Sequence, residues 1–271
     1  MKLTASSPIG IFDSGIGGLT VVKSVMESLP GEDIIYFGDT ARVPYGIKSS
    51  ETVKEYSLQI TDFLLKKKVK AILIACNTVA ASCKNEIIAK AGSVPVLDVV
   101  TAGSQAASSV EKKENLIGVI GTLATVGSAA YENAIKKIDP AVSVYSKACP
   151  MLVPLAEEGW IDNEIALKTI ELYLNDFRQK PLDALILGCT HYPLFKDSIS
   201  SFFNNPGMKI VDSADSIAEM TKELLANKNL LNKSDKGQFN CYVSDKPQRF
   251  QALAERFLGQ SINRVEVVNM R

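Results

Sequence analysis

The sequence is poor in the residues that build metal clusters and disulfide scaffolds. It has 5 cysteines, an odd number, and 1 histidine in 271 residues. No two cysteines show the Cys-x-x-Cys spacing typical of structural zinc sites. Small secreted folds held by disulfides usually show an even number of closely spaced cysteines. We therefore expect free thiols and no bound metal.

Excess charge and long apolar runs are also lacking. The 30 lysines and arginines balance the 30 aspartates and glutamates, whereas nucleic-acid binders normally show a basic surplus. The apolar runs 71–76 and 182–189 are far shorter than the roughly 18 residues of a membrane span. Residues 1–7 are short and polar and do not resemble a secretory signal. These features predict a cytoplasmic protein with reduced thiols and no nucleic-acid or membrane partner.

Short β-branched runs alternate with longer helical patterns. The predicted strands are Ile9–Asp13, Asp33–Gly38, Ala71–Cys76 and Pro95–Val99, and the predicted helices are Leu19–Leu29 and Ser50–Lys67. With 46% hydrophobic residues, the chain has enough apolar material for a core in each half. This βαβα rhythm is typical of a parallel sheet flanked by helices.

The second half of the chain repeats the rhythm of the first. Ile9-Gly10-Ile11-Phe12 resembles Ile117-Gly118-Val119-Ile120, and Val96-Leu97-Asp98 resembles Ile210-Val211-Asp212. The matches at 33–36 with 142–145 and at 70–76 with 183–189 fall between them in the same order. This favours an internal duplication. Ligands of open α/β sheets bind outside the carboxyl ends of the strands, so two such units would share a cleft.

Each half places a cysteine at the end of a predicted strand. The strings are Ala75-Cys76-Asn77-Thr78 and Gly188-Cys189-Thr190-His191. In both, a small residue precedes the thiol, which would let the backbone approach a ligand, and hydrogen-bonding residues follow it. Cys76 and Cys189 are therefore the candidate reactive pair. The remaining cysteines, Cys83, Cys149 and Cys241, are interpreted as small buried hydrophobes.

His191, the single histidine, is predicted to assist the second thiol. On an extended strand end, residues two apart point to the same side, so His191 would face Cys189. A neighbouring group that lowers a thiol's pKa raises the fraction of thiolate, the reactive form. A zinc site built from Cys189, His191 and a distant cysteine is the alternative, which the absence of paired short spacings disfavours.

Two further loops follow predicted strands. Phe12-Asp13-Ser14-Gly15-Ile16-Gly17-Gly18 is Gly-rich but matches neither a Walker loop nor a dinucleotide fingerprint. Its backbone N–H groups would form an anion site at a helix N-terminus, while the Asp13 carboxylate suits either a substrate ammonium or a proton-relay partner for a thiol. The second loop, 36–46, has a rigid Pro-x-Gly turn whose N–H groups could hold a carboxylate.

Together these strings resemble the glutamate racemases of the aspartate/glutamate racemase superfamily. The matching motifs are 11–19 with Asp-Ser-Gly-Ile-Gly-Gly, Gly38-Asp39 with Pro44-Tyr45-Gly46, 75–78, and 188–193 with Cys-Thr-His-Tyr-Pro. The resemblance implies two pseudo-symmetric α/β domains with mainly parallel sheets and the active site in the cleft between them. It implies a discontinuous first domain, 1–97 plus 209–271, and a second domain, 98–208.

The resemblance also implies racemisation by two bases without pyridoxal phosphate or any other cofactor. Cys189 would deprotonate L-glutamate and Cys76 would deprotonate D-glutamate. Asp13 would support Cys76, and His191, with Glu157, would support Cys189. The implied substrate-binding residues are Asp13, Ser14, Tyr45, Gly46, Asn77, Thr78, Thr190 and His191, with Thr122 and Thr125 as weaker candidates.

In a cell, the resemblance implies a homodimeric enzyme that supplies D-glutamate for peptidoglycan. Two alternatives remain open from the residues alone. One is a related enzyme that acts on aspartate or a hydantoin. The other is a two-domain binding protein for a dicarboxylic amino acid, in which paired thiols at strand ends would have no purpose.

Overall fold

The alternating pattern folds into two β-sheets in which every pairing among the described residues is parallel. The computed structural model describes residues 3–111, 113–262 and 264–270. The strands are β1 (Ile9–Asp13), β2 (Ile34–Gly38), β3 (Ala71–Ile74), β4 (Val96–Asp98), β5 (Leu116–Gly121), β6 (Ser143–Ala148), β7 (Ala184–Gly188), β8 (Lys209–Asp212), β9 (Phe239–Val243) and β10 (Val265–Val267).

Helices connect and cover these strands. They are α1 (Leu19–Ser28), α2 (Ser50–Lys66), α3 (Asn77–Ala91), α4 (Val99–Ser108), α5 (Leu123–Gly127), α6 (Ala130–Ile138), α7 (Leu152–Glu158), α8 (Glu164–Arg178), α9 (Lys196–Phe203), α10 (Ser213–Asn227) and α11 (Pro247–Leu258). Short 3₁₀ turns span Tyr45–Ile47 and Tyr192–Phe195. No helix within the described ranges is long and apolar enough to cross a membrane.

The two sheets repeat one strand order, as the matched strings predicted. The first sheet runs β10-β9-β2-β1-β3-β4 and the second runs β6-β5-β7-β8. The matched strings fall on β1 and β5, β2 and β6, β3 and β7, and β4 and β8, which occupy equivalent places. Among the strands of the described residues, β9 and β10 extend the first sheet beyond this common order. The predicted fold class, two α/β units with parallel sheets, is confirmed.

Burial on both sides explains why the strands read as continuous apolar runs. All residues of β1, β2, β3 and β7 are buried, as expected for parallel sheets covered by helices on both faces. The predicted strand 71–76 is too long, since β3 ends at Ile74. Cys76 is instead the N-cap residue of α3, so its thiol lies at a helix N-terminus.

The chain crosses twice between the sheets. It leaves the first sheet after β4 through α4, and it leaves the second sheet after β8 through α10. The predicted domain division places residue 209 onward in the first domain, but β8 pairs with β7. The strand pairing therefore argues for a second crossing after Asp212, and the domain limits stay a prediction. We call the first sheet with α1–α3 and α11 the first lobe, and the second sheet with α5–α9 the second lobe.

Candidate active site

A cavity of about 250 Å³ lies where the carboxyl ends of the two sheets face each other. Its walls come from the loops after β1, β2 and β3 of the first lobe and after β5, β6 and β7 of the second, which are equivalent positions of the repeat. The lining residues are Ser14, Gly15, Ile16, Val43, Pro44, Tyr45, Gly46, Ile47, Cys76, Asn77, Thr78, Thr122, Leu123, Pro150, Val153, Pro154, Glu157, Cys189, Thr190 and His191. Both candidate thiols thus line one cavity.

Cys76 is buried on the first-lobe side of the cavity. Its Sγ lies 3.6 Å from the hydroxyl oxygen of Ser14. Burial, together with the negative charge of Asp13, raises the pKa of the Cys76 thiol to about 12, although the Ser14 hydroxyl and the backbone N–H of Val79 oppose the shift. At neutral pH Cys76 is therefore a protonated thiol, a potential proton donor.

Asp13 lies behind Ser14, buried and outside the set of residues that line the cavity. Its Oδ2 accepts a hydrogen bond of 2.9 Å from the backbone N–H of Gly15, while its buried Oδ1 has no hydrogen-bond partner among the described residues. Burial raises the pKa of Asp13, and the charge of His191 and nearby backbone N–H groups partly offset this. Asp13 thus interacts electrostatically with Cys76 and with His191.

Cys189 is accompanied by a histidine and a glutamate. The Cys189 Sγ lies 3.9 Å from Nδ1 of His191, and Nε2 of His191 lies 3.2 Å from Oε1 of Glu157. Burial lowers the pKa of His191, but its hydrogen bonds to Cys189 and Glu157 and the charges of Cys189 and Asp13 outweigh this and raise it to about 10. His191 is therefore protonated at neutral pH, with Nδ1 towards the Cys189 sulfur and Nε2 towards Glu157.

The predicted proximity of His191 and Cys189 is present, but the expected extended strand end was wrong. Strand β7 ends at Gly188, and the backbone N–H of Tyr192 bonds to the Cys189 carbonyl at 3.0 Å. His191 has helical dihedral angles, with φ −83° and ψ −25°. A tight turn, rather than strand alternation, brings the imidazole back to the thiol.

Hydroxyl and amide groups from both lobes surround the thiols. Of the predicted substrate-binding residues, all except Asp13 line the cavity. Thr78 of the first lobe and Thr122 of the second approach each other with hydroxyl oxygens 3.3 Å apart. Thr122 also lines the cavity, whereas Thr125 lies outside it and contacts the Thr122 hydroxyl at 3.0 Å.

The loop that carries Tyr45 is held by a buried carboxylate. Asp39 accepts hydrogen bonds from the Tyr45 hydroxyl and, at 2.7 Å each, from Arg42 Nε and the Ser244 hydroxyl. The Arg42 guanidinium lies 4.0 Å from the centre of the Tyr56 ring. The motif Gly38-Asp39 has no role assigned from the sequence, and the structure shows that Asp39 fixes this loop against the end of β9.

Two glycines of the predicted motifs permit close packing. A Cβ on Gly17 would collide with the side chains of Thr190 and His191, so the Gly-rich loop of the first lobe rests directly on the Cys189 turn. A Cβ on Gly188 would lie 2.7 Å from the Ile120 carbonyl oxygen and 3.0 Å from the Tyr131 ring. Protein atoms, rather than a ligand, explain the small residue before Cys189.

Several neighbours of the site carry no local sequence signal. The apolar wall formed by Pro150, Val153 and Pro154 follows β6. Phe257 of α11 packs edge-on against the His191 ring with centroids 5.2 Å apart. Its neighbour Arg256 donates a hydrogen bond to the backbone carbonyl of Glu157. These contacts join segments distant in the chain, and no pattern within either segment could have pointed to them.

All five cysteines are free in the structure. Among the described residues, no group of three or more His, Cys, Asp or Glu side chains is arranged to hold a metal ion. The two thiols that line the cavity offer acid–base or nucleophilic chemistry, and hydroxyl, amide and imidazole groups line it beside them.

Comparison with known proteins identifies relatives along the whole chain. Residues 9–221 match the profile of the Asp/Glu/hydantoin racemase family. The chain is 49% identical to a glutamate racemase of Chlorobaculum tepidum, covering 99% of this chain and 98% of that one. It is 48% identical to a glutamate racemase of Neisseria meningitidis serogroup C, covering 97% of each. The crystal structure of a Francisella tularensis glutamate racemase in complex with D-glutamate superposes with a TM-score of 0.92 at 42% identity and covers 98% of both chains.

Proposed function

The chain belongs to the Asp/Glu/hydantoin racemase family. On that premise we propose that it interconverts L- and D-glutamate with two cysteines, one of which removes the α-proton while the other delivers a proton to the opposite face. The observation that carries the proposal is a single cavity lined by Cys76 and Cys189 at equivalent ends of a duplicated fold. Glutamate is favoured over aspartate or a hydantoin because relatives 48–49% identical over nearly the full chain are named glutamate racemases.

In the proposed reaction, the two thiols act on opposite faces of the α-carbon. With L-glutamate bound, the thiolate of Cys189 removes the α-proton and becomes a thiol. The protonated Cys76 thiol delivers its proton to the other face, giving D-glutamate and a Cys76 thiolate. The reverse reaction starts from that state, so protons, charges and bonds balance in each direction.

The surroundings of the two thiols support this starting arrangement. The pKa of about 12 keeps Cys76 protonated, while the imidazolium of His191 lies 3.9 Å from Cys189 Sγ. Asp13 interacts electrostatically with Cys76, and we assign it as the group that supports this thiol. Glu157 anchors the far nitrogen of His191.

The polar lining would hold the substrate between the thiols. We assign the carboxylates and ammonium group of glutamate to Ser14, Tyr45, Gly46, Asn77, Thr78 and Thr190, with Thr122 as an additional contact, because these residues line the cavity from both lobes. Donors fixed in advance stabilise the charge that develops on a weak carbon acid as its proton leaves.

The decisive experiment follows the α-hydrogen in deuterated water without added cofactor. We expect L-glutamate to lose optical activity, with deuterium appearing at once in D-glutamate while recovered L-glutamate stays nearly unlabelled. Two bases predict this asymmetry, because the proton removed stays on one thiol and the solvent-derived deuteron arrives from the other. Equal early labelling of both enantiomers would instead indicate one base. Exchange with aspartate but not with glutamate would contradict the substrate assignment.

Wider expectations follow from the proposed activity. We infer that the enzyme works in the cytoplasm as a homodimer, supplies D-glutamate for peptidoglycan and has no nucleic-acid partner. The balanced charge supports the last point. Exposed apolar side chains such as Ile47 and Leu172 offer surface for a subunit contact, and sedimentation velocity of the purified protein would reveal whether a dimer forms.

A further inference from the structure

Tyr131 lies between the two loops that carry the thiols, although it does not line the cavity. It is the second residue of α6 in the second lobe, and only 2% of its surface is exposed. Its hydroxyl oxygen lies 2.7 Å from Oδ1 of Asn77, the residue that follows Cys76. Its ring packs against Gly188, the residue that precedes Cys189.

The hydroxyl of Tyr131 also contacts both places where the chain crosses between the sheets. It lies 3.0 Å from the hydroxyl oxygen of Ser213, at the start of α10, and 3.5 Å from the carbonyl oxygen of Val99, at the start of α4. Burial raises the pKa of Tyr131, so the group keeps its proton and acts as a donor. Its single hydrogen goes to Oδ1 of Asn77, the nearest of these acceptors, and the Ser213 hydroxyl can donate to the Tyr131 oxygen.

This contact engages the oxygen end of the Asn77 amide. An asparagine amide carries an acceptor oxygen on one side and a two-hydrogen donor nitrogen on the other. Since Oδ1 accepts from Tyr131, Nδ2 is the atom left to a ligand in the cavity that Asn77 lines. An N–H donor matches a substrate carboxylate, whereas the reversed amide would place an oxygen against it.

We propose that Tyr131 is a positioning residue that fixes the Asn77 amide with its nitrogen towards the cavity and thereby sets the affinity for a substrate carboxylate beside Cys76. The inference rests on the proposed function only in the identity of the ligand, a dicarboxylic amino acid. It assigns Tyr131 no contact with substrate and no proton transfer, so its effect should appear in binding rather than in turnover.

The test compares Tyr131→Phe with the wild-type protein. Loss of the hydroxyl lets the Asn77 amide rotate, and a hydrogen bond to a charged group is lost in part, so we expect KM for glutamate to rise about tenfold with kcat changed less than about threefold. Because L- and D-glutamate have equal free energies, kcat/KM should fall by the same factor in both directions. An unchanged KM, or a loss confined to kcat, would overturn the proposal.

A double-mutant cycle with Asn77→Ala separates positioning from general loosening. If Tyr131 acts through the amide, Tyr131→Phe should weaken binding in the wild-type background and add nothing once Asn77 is alanine. If instead Tyr131→Phe weakened glutamate binding by the same factor in both backgrounds, the proposal would be contradicted. Tyr145→Phe is the matched control, because Tyr145 packs on Phe177 away from the cavity, and its KM should match that of the wild type.

Equilibrium binding tests the role of Tyr131 independently of the proposed reaction. Racemisation is thermoneutral, so calorimetric titration with glutamate reports binding alone, and Kd should follow the same cycle. If the wild-type protein binds glutamate without racemising it and the cycle holds, the proposed function fails and the role of Tyr131 stands. If the wild-type protein racemises glutamate but Tyr131→Phe binds glutamate with the Kd of the wild type, the proposed function stands and the role of Tyr131 fails. A protein that does not bind glutamate would overturn both.

Discussion

At the scale of single residues, the two thiols have chemically different surroundings. Cys76 lies near a carboxyl group and a hydroxyl in a buried position that leaves it protonated, with a pKa of about 12. Cys189 lies beside an imidazole whose pKa is about 10. In the reaction we propose, these different surroundings would let Cys76 give a proton while His191 supports Cys189 as the base.

Removal of either thiol should stop the reaction. We expect Cys76→Ala and Cys189→Ala each to lower the racemisation rate at least ~10³-fold, the usual worth of a positioned acid or base, measured by polarimetry. Cys83→Ala is the control, because Cys83 is equally buried in α3 but does not line the cavity. Near wild-type turnover by either of the first two variants would contradict the two-base reaction.

The charge of His191 should also make stability depend on pH. Its pKa is raised from 6.5 to about 10 in the folded protein, so its contribution is fully present below pH 6.5 and disappears as the pH rises through about 10. The difference in unfolding free energy between wild type and His191→Gln should therefore shrink from pH 6 to pH 9.5. Urea denaturation at several pH values measures it, and a constant difference would argue against a charged His191.

At the scale of the elements, the chain continues differently after two equivalent strands. Strands β3 and β7 both deliver a thiol to the cavity, but α3 begins directly after Cys76 whereas a tight turn comes after Cys189. The turn admits His191 beside its thiol, and the helix places Asn77 and Thr78 at the cavity wall. The helix after one strand and the turn after the other therefore produce the asymmetry seen at the thiols.

The contact between β7 and α6 gives an element-scale prediction. In Gly188→Ala the new methyl would lie 2.7 Å from the Ile120 carbonyl oxygen and 3.0 Å from Tyr131, so we expect a loss of about 1–3 kcal/mol in unfolding free energy. Gly127→Ala in α5 meets no atom within 4 Å and should be neutral or stabilising by up to ~1 kcal/mol. If both variants had the same unfolding free energy in urea, the protein would have room for a methyl group at position 188.

At the scale of the whole molecule, each lobe contacts residues next to the thiol of the other lobe. Tyr131 of the second lobe contacts Asn77 beside Cys76, and Phe257 of the first lobe packs on His191 beside Cys189. The site is complete only when the lobes are assembled.

Far from the site, at the start of β3, the buried ammonium group of Lys70 pairs with Glu32 and donates to the carbonyl oxygens of Ala5 and Leu230 at 2.6 and 2.8 Å.

This buried pair should affect stability without affecting the reaction. Lys70→Met leaves the Glu32 carboxylate buried without its cation, which typically costs about 3–5 kcal/mol. Lys90→Met breaks the Lys90–Asp62 pair, whose side chains are 39% and 46% exposed, and should cost about 0–1 kcal/mol. Denaturation by urea gives both values, and the folded protein should keep its kcat in both variants. A loss of kcat in Lys70→Met would mean that distortion spreads along β3 to Cys76.

Local patterns in the sequence by themselves determined much of this protein. Apolar runs of strand length, repeated in order, predicted two parallel sheets. A strand that helices cover on both faces has apolar side chains at consecutive positions. The strings around Cys76 and Cys189 predicted that both thiols follow a strand and approach one ligand, and both line the same cavity. That they are the reactive pair stays a prediction. The polar residues adjacent to these thiols were predicted for the same reason, since they share a loop.

Tertiary structure alone decided the contacts between segments distant in the chain. Tyr131 and Asn77 are separated by 54 positions, and Ser213 is 82 positions beyond Tyr131, so no periodicity relates them. Packing also decided that His191 reaches Cys189 through a turn and that β8 joins the second sheet. Sequence patterns record whether a residue is buried and in which kind of element. Which side chains then meet depends on how the elements pack, and that is determined by shape and by hydrogen-bond partners that no local pattern contains.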